Sequence, residues 1–302
     1  MTLEQTLVIA NPAASGGRSQ LERLEQWLEG QHHCTLRVTQ YPGDAIRFVQ
    51  QAIVTNTRRF IIGGGDGTIH EVVSLLARKN PQDFTIGILP FGTGNDLART
   101  LEIPLDFEQA AQIIRDDYRK PIDLIKVTTD DEQTHYVANA ATGGVSERVT
   151  GSVSPAHKTM FGPLSYLVAA AGMLRKTPKY RIHLKTDGDE FAAETPTIVV
   201  ANGRTAGGGH PVAPNAVIDD GVAEAVVATP RTRAQQVKLL LRLEVARHLD
   251  SDYLVHRSAR WIELKSDPPM PFSLDGERLD PVKKLTFEVL PRTLNVIVPK
   301  PN

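Results

Sequence analysis

Five consecutive positions, 63–67, hold four glycines and one aspartate in the stretch "GGGDGT", and no other feature constrains this chain as tightly. The stretch ends an apolar run that starts at Arg59 and opens a segment with apolar residues at helical spacing, 68–78. Glycine costs backbone entropy on folding. That density is kept only where the chain must adopt positive φ or admit another group very close to its backbone. Between a strand and a helix the group that fits is a phosphate, because loop N–H groups and the helix N-terminus both point at it.

The flanking sequence supplies the scaffold such a loop needs. Apolar runs at 6–12, 35–40, 59–64 and 85–92 read as strands, and the segments 19–29, 44–55 and 68–78 carry amphipathic helix patterns. Strand and helix in alternation predict a parallel sheet with right-handed crossovers and helices on both faces. Ligands of such sheets sit at the strand C-termini. Three loops rich in Gly, Ser, Thr or Asn should gather there: "NPAASGGRS" (11–19), "GGGDGTIHE" (63–71) and "PFGTGND" (90–96). Three converging loops predict an oligophosphate, with the hydroxyls of Thr68 and Thr93 as additional donors. The spacing matches neither the P-loop, since Arg18 and Pro12 stand where Lys and Gly are required, nor the dinucleotide fingerprint, since Ile69 and His70 occupy its last glycine region. Asp66 would repel phosphates unless a divalent cation such as Mg²⁺ lay between them, and it could at the same time cap the helix that starts near Thr68.

Beyond about residue 121 the texture changes to short alternating runs separated by turns such as "TDGDE" and "IDDG", with two helix-like stretches near 162–175 and 231–249. We therefore expect an α/β domain over 1–122 and a mainly antiparallel domain over 123–302, whose last strand could return to the first. With 302 residues, each half can bury its own core. A net charge of -1, from 34 basic and 35 acidic residues, gives no bulk attraction for nucleic acid. The single cysteine, Cys34, excludes an internal disulfide framework and suits a reducing, cytoplasmic setting. The N-terminal run lacks the charge and length of a leader, and the longest apolar run, 166–174, is about half of a membrane span. The expected protein is soluble or touches a membrane from the water side.

The ordered set "GGGDGTIHEVV", "ILPFGTGNDLAR", "ANGRTAGGG", "PNAVIDDG" and "SLDGE" resembles the diacylglycerol kinase and sphingosine kinase superfamily, and within it the bacterial YegS-like lipid kinases. The resemblance runs over nearly the whole chain. It implies a first domain of the NAD kinase and phosphofructokinase type, a β-sandwich-like second domain, and ATP between them. The implied reaction is Mg²⁺-dependent transfer of the γ-phosphoryl of ATP to a hydroxyl of a glycerolipid, either phosphatidylglycerol-like or diacylglycerol-like. Carried over onto this sequence, ATP would meet Thr39, the loop Gly65, Asp66, Gly67 and Thr68, the helix start at Ile69, His70 and Glu71, and Thr93 of the third loop. A second-domain cation, Mg²⁺ or Ca²⁺, would take the backbone carbonyls of Val217 and Val222 with the Asp220 carboxylate. Asp275 would accept the proton of the lipid hydroxyl, and Asp123 matches an acidic position that serves a metal or a lysine.

From the residues alone, "IDDG" and "SLDGE" read as hairpin turns, and His70 reads as a solvent-facing helix residue that could instead touch a phosphate. The segment 231–249 sets Arg231, Arg233, Lys238, Arg242 and Arg247 beside a Leu/Val stripe. Packing on the second-domain sheet is the ordinary expectation for it; a basic face resting on anionic lipid is the sharper one. Competing readings are another small-molecule kinase, such as an NAD kinase, and a nucleotide-binding regulator without turnover. The sequence gives no sign of oligomeric state.

Overall fold

The computed structural model describes residues 4–14, 17–144, 178–244 and 248–301. The expected helix at 162–175, the apolar run at 166–174 and Arg247 lie outside these residues.

The first half alternates as expected: β1 (Thr6–Ala10), α1 (Gly17–Leu28), β2 (Cys34–Val38), α2 (Asp44–Val54), β3 (Arg59–Gly64), α3 (Asp66–Ala77) and β4 (Thr85–Pro90). These strands pair in parallel in the order β4-β3-β1-β2. Every residue of β1 and β4 is buried, as helix-covered parallel strands require. Two further helices follow, α4 (Asp96–Thr100) and α5 (Phe107–Asp116). The latter is capped by Asp106, whose side chain accepts from the Gln109 N–H at 3.1 Å.

The second half is antiparallel. It comprises β5 (Arg119–Thr129), β6 (Thr134–Val137), β7 (Ala140–Gly144), β8 (Tyr180–Thr186), β9 (Glu190–Thr195), β10 (Thr197–Ala201), β11 (Ala223–Ala228), α6 (Arg233–Glu244), β12 (Leu254–Ala259), β13 (Trp261–Leu274) and β14 (Glu277–Ile297). In β8 buried and exposed residues alternate strictly, giving one face on the core and one in water. Its core is a separate cluster that includes Phe272, Phe287, Ile262 and Val200.

Two runs, 285–290 and 294–299, read as separate strands from sequence, but β14 carries the chain through both. Its first part, 277–288, pairs with β13, its later part, 285–297, pairs antiparallel with β5, and Asn295–Val296 pair in parallel with Thr85–Ile86 of β4. One sheet path therefore runs from the parallel half into the antiparallel half. The register shifts between Leu290 and Leu294, where Arg292 has φ 50°. Asp123, fully buried, secures that irregularity: its Oδ1 accepts from the Arg292 N–H at 2.7 Å and its Oδ2 from the Gly221 N–H at 2.6 Å.

Candidate active site

The glycines that leave β3 do not need positive φ; Gly65 is extended, at φ −93° and ψ −175°. Close approach is their reason, and much of that approach is by the protein itself. A Cβ on Gly63 would lie 2.7 Å from the Phe91 ring, one on Gly64 2.7 Å from Thr68 Cβ, and one on Gly92 2.6 Å from Gly65 Cα. The loops after β3 and β4 are thus packed backbone against backbone. Gly67 is different: an added Cβ there would meet only Glu277 Oε1, at 3.4 Å, so the first turn of α3 is the open face of the loop.

Amide side chains brace these loops. Asn11, after β1, donates from Nδ2 to Thr68 Oγ1 at 2.9 Å, and its backbone N–H donates to Gly63 O at 2.8 Å. Asn95, at φ 51°, folds its side chain back on its own loop, accepting from the Gly92 N–H at 3.0 Å and donating to Gly92 O at 2.7 Å. Thr39, at the C-terminal end of β2, is buried with its N–H on Ala10 O at 2.9 Å. Thr93 is exposed on the third loop. The expected loops therefore converge, with one exception within the run 65–71: the Ile69 side chain turns into the hydrophobic core and its N–H donates to Gly65 O.

Carboxylates crowd the same edge. Asp66 Oδ1 accepts from the Asp96 N–H at 2.7 Å. Burial, and next the charge of Asp96, push the Asp66 carboxyl up to about 6, against backbone hydrogen bonds from residues 95 and 96, and Asp275 adds to the rise. Burial and the neighbouring Glu277 raise Glu71 as well. Asp96, which sequence reasoning passed over, joins the two halves of the molecule: its carboxylate accepts from Gly208 N–H at 2.9 Å and Gly209 N–H at 2.7 Å. Those glycines belong to "TAGGG", where Gly207, Gly208 and Gly209 all have positive φ. Beside them Thr100 Oγ1 donates to Asn139 Oδ1 at 3.1 Å, and Arg204 donates to Thr100 O and Glu102, both at 2.8 Å. The only sequence signal for Asp96 was an acid directly after a Gly-Asn pair at a helix start.

Asp275 sits where β13 turns into β14. Leu274 pairs with Glu277, and Asp275 and Gly276 have φ 48° and 96°, so "SLDGE" is the two-residue Asp-Gly hairpin. The turn also has a chemical face. Asp275 Oδ2 accepts from Ala138 N–H at 2.7 Å, and Oδ1 accepts from Asn139 N–H at 3.0 Å and Ala140 N–H at 2.8 Å. His70 Nδ1 lies 3.5 Å from Oδ2, and Ser74 Oγ lies 3.3 Å from His70 Nε2. His70 is therefore not the solvent-facing residue its helix position suggested; its side chain is only 12% exposed and lies against the second half's acid. Burial pulls His70 down, but the hydrogen bond and charge of Asp275, with Glu277 and Glu71, carry it above the ordinary imidazole value.

The second-half cation residues lie near Asp123. "IDDG" makes a turn with Gly221 at φ 81°, Asp220 Oδ1 accepts from Val222 N–H at 3.1 Å, and Val217 is half exposed. Burial raises the Asp220 carboxyl, the Val222 N–H opposes, and Asp123 adds to the rise. Asp123 itself meets backbone N–H groups, whereas the lysine of this region, Lys120, pairs with Asp219 at 2.8 Å. On α6, Arg233 and Lys238 are exposed, Arg242 donates to Asp250 O at 3.1 Å, and Leu243 packs on a small core cluster that includes Val226 and Val199.

Among the described residues no three His, Cys, Asp or Glu side chains form a metal cage. The donor set nevertheless suits a cation held jointly with phosphates. Asp66 places a part-buried carboxylate, raised by desolvation and by the charge of Asp96, beside a helix N-terminus, and a hard divalent ion that keeps water and phosphate ligands needs only one or two carboxylates from the protein. No described helix is long and apolar enough to cross a membrane.

Comparison with known proteins bears on the same residues. The diacylglycerol kinase catalytic domain matches 5–127, and the YegS C-terminal NAD kinase beta sandwich-like domain matches 139–298. The Shewanella frigidimarina protein named "Probable lipid kinase YegS-like" is 32% identical over 89% of this chain and 85% of its own. The Yersinia enterocolitica protein of the same name is 31% identical over 98% of both chains. A solved diacylglycerol kinase from Bacillus anthracis superposes with a TM-score of 0.78 at 24% identity, covering 99% of this chain and 98% of its own, which is a likeness of fold. The parallel half with its glycine loops, the antiparallel half with its Asp-Gly hairpin and the full-length match lead to one conclusion: the chain belongs to the YegS-like family with a diacylglycerol kinase catalytic domain.

Proposed function

We propose that the edge shared by the glycine loops and the Asp275 hairpin is the phosphoryl-transfer centre of a lipid kinase, a phosphotransferase with an alcohol acceptor. ATP is the donor, and the acceptor is a glycerolipid of the phosphatidylglycerol or diacylglycerol kind. One observation carries this reading. Backbone N–H groups of 138–140 fix the Asp275 carboxylate beside the helix that opens at the phosphate loop.

The N–H groups at the start of α3 and the loop around Gly67 hold the phosphates, and Thr68, Thr93 and Thr39 line the same edge. Asp66 would hold Mg²⁺ there. The ion, when bound, neutralises charge on the transferred phosphoryl group. A lipid hydroxyl is a weak nucleophile, and Asp275 accepts its proton as the O–P bond forms. Val217, Asp220 and Val222 would hold a second cation, Mg²⁺ or Ca²⁺. The enzyme works from the cytoplasm as a peripheral protein and needs a membrane-facing surface. Belonging to the YegS-like family disfavours the NAD kinase reading.

The test is Asp275→Asn. Loss of a general base lowers turnover by about 10²–10⁴-fold, while ATP binding persists. Radiolabelled ATP over a total lipid extract, with the product identified by mass, measures turnover and names the lipid together. Near-normal turnover in the variant removes Asp275 from this role, and absence of any phosphorylated lipid from the wild-type reaction leaves the non-catalytic regulator as the reading.

A further inference from the structure

The second half meets the ligand end of the parallel sheet beside β3 and β4. Asp275 lies against His70 of α3, Glu277 lies against Gly67, and the N–H groups of Gly208 and Gly209 take the Asp96 carboxylate after β4. In the proposed reaction the γ-phosphoryl end of the nucleotide therefore faces that side. Its base lies the other way, along the loops that follow β1 and β2. Those loops are continuous with the phosphate loop: Asn11 bonds to Thr68 Oγ1 and Gly63 O, and the Thr39 N–H bonds to Ala10 O. The strand order places β2 two strands from β3, about 10 Å at the usual strand spacing of about 4.8 Å. A ribose carries a base a comparable distance from its phosphates.

The loop after β2 holds one large side chain out at that position. Thr39 is buried, and its hydroxyl turns inward to Ala10 O at 3.4 Å. Asp44 Oδ2 accepts from the Gln40 N–H at 2.8 Å and the Tyr41 N–H at 3.0 Å, while Arg47 donates to Oδ1 at 2.7 Å. Pro42 restricts its own φ, and Gly43, at φ 83°, turns the chain into α2. On this braced backbone Tyr41 is 72% exposed, the most exposed aromatic side chain among the described residues. A lone exposed aromatic is ordinary on a protein surface. This one stands on a fixed loop at the ligand end of a parallel sheet, where a flat ring offers contact area at little cost in conformational entropy.

From this placement we infer that Tyr41 is the platform on which the base of the nucleotide stacks. The inference rests on the reading of this edge as an ATP site. Stacking uses the face of the base and not its hydrogen-bonding edge, so it tolerates different bases. Tyr41 therefore favours a nucleoside triphosphate over a bare triphosphate, and adenine and guanine nucleotides both gain from it.

The experiment is calorimetric binding of MgATP, MgGTP and magnesium tripolyphosphate to wild type, Tyr41→Ala and Tyr41→Phe, without lipid. Tyr41→Ala should bind both nucleotides about 5–150-fold more weakly than wild type. Tyr41→Phe keeps the ring and should match wild type, and tripolyphosphate should bind all three proteins alike. Unchanged MgATP affinity in Tyr41→Ala overturns the platform and leaves the phosphate site standing. A parallel loss of tripolyphosphate affinity overturns it too, since Tyr41 would then shape the phosphate loop, and a loss in Tyr41→Phe equal to that in Tyr41→Ala would assign the contact to the hydroxyl. Wild type that fails to bind MgATP overturns the ATP reading itself, and the platform with it.

Discussion

Asp66 should make the protein less stable than it could be, and Asp66→Asn tests this directly. The carboxyl is raised from 3.8 to about 6, first by burial and next by the Asp96 charge. A folded-state value above the unfolded one means that the folded chain binds more protons between these limits, so stability falls as pH rises from about 4 to 6 and stays reduced above. At about 1.4 kcal/mol per pH unit, the cost of the ionised group near pH 7.5 is about 2–3 kcal/mol. Asn is nearly isosteric and keeps an acceptor for the Asp96 N–H. Without nucleotide or metal, the variant should melt about 3–5 °C above wild type at pH 7.5, and the two curves should converge near pH 4. Wild type should recover the difference when MgATP is added; the variant should bind MgATP weakly. Thermal denaturation across pH, with and without MgATP, measures all of this. A variant that is equally or less stable at pH 7.5, or an advantage that persists unchanged at pH 4, would show that the Asp66 charge is already compensated.

Two glycines separate phosphate binding from packing. Gly67→Ala should fold like wild type yet lose ATP affinity, and unchanged affinity would refute the phosphate role of the loop; Gly92→Ala, with its Cβ 2.6 Å from Gly65 Cα, should cost about 1–3 kcal/mol of stability as well. Charge reversal at the exposed Arg231, Arg233 and Lys238 should reduce phosphorylation on anionic vesicles and spare it on detergent-dispersed lipid, whereas equal losses in both would assign α6 to packing alone.

The parallel half was legible because fully buried strands and amphipathic helices write different periods into the chain, as in β1, β4 and α2. The glycine loop was legible by density, although Phe91, Thr68 and Gly92 fill most of the space its missing side chains leave. Asp96 was not legible, since its partners Gly208 and Gly209 lie more than a hundred positions away and only the fold brings them together. The same holds for His70, whose environment is set by a hairpin 205 residues on. Asp275 was legible twice, as a turn and as a base, and it makes the turn while facing the site: Asp tolerates positive φ, and its carboxylate remains free to gather N–H groups. The continuity of β14 was hidden by "PRT" at 291–293, which reads as a break and is an irregularity stitched by Asp123.

The shared strand also sets a timetable for biosynthesis. Edges of β4 and β5 in the completed protein are covered by 294–297 of β14, so when the ribosome has finished β5 at Thr129 those backbone groups have no partner. At about 5–20 residues per second, roughly ten to thirty seconds pass before that partner is made. Through that interval the nascent nucleotide half presents a bare, apolar strand edge, the template on which chains pair wrongly with one another. The same continuity that joins the two halves of the molecule therefore makes the newborn chain a client for whatever shields exposed strands during translation.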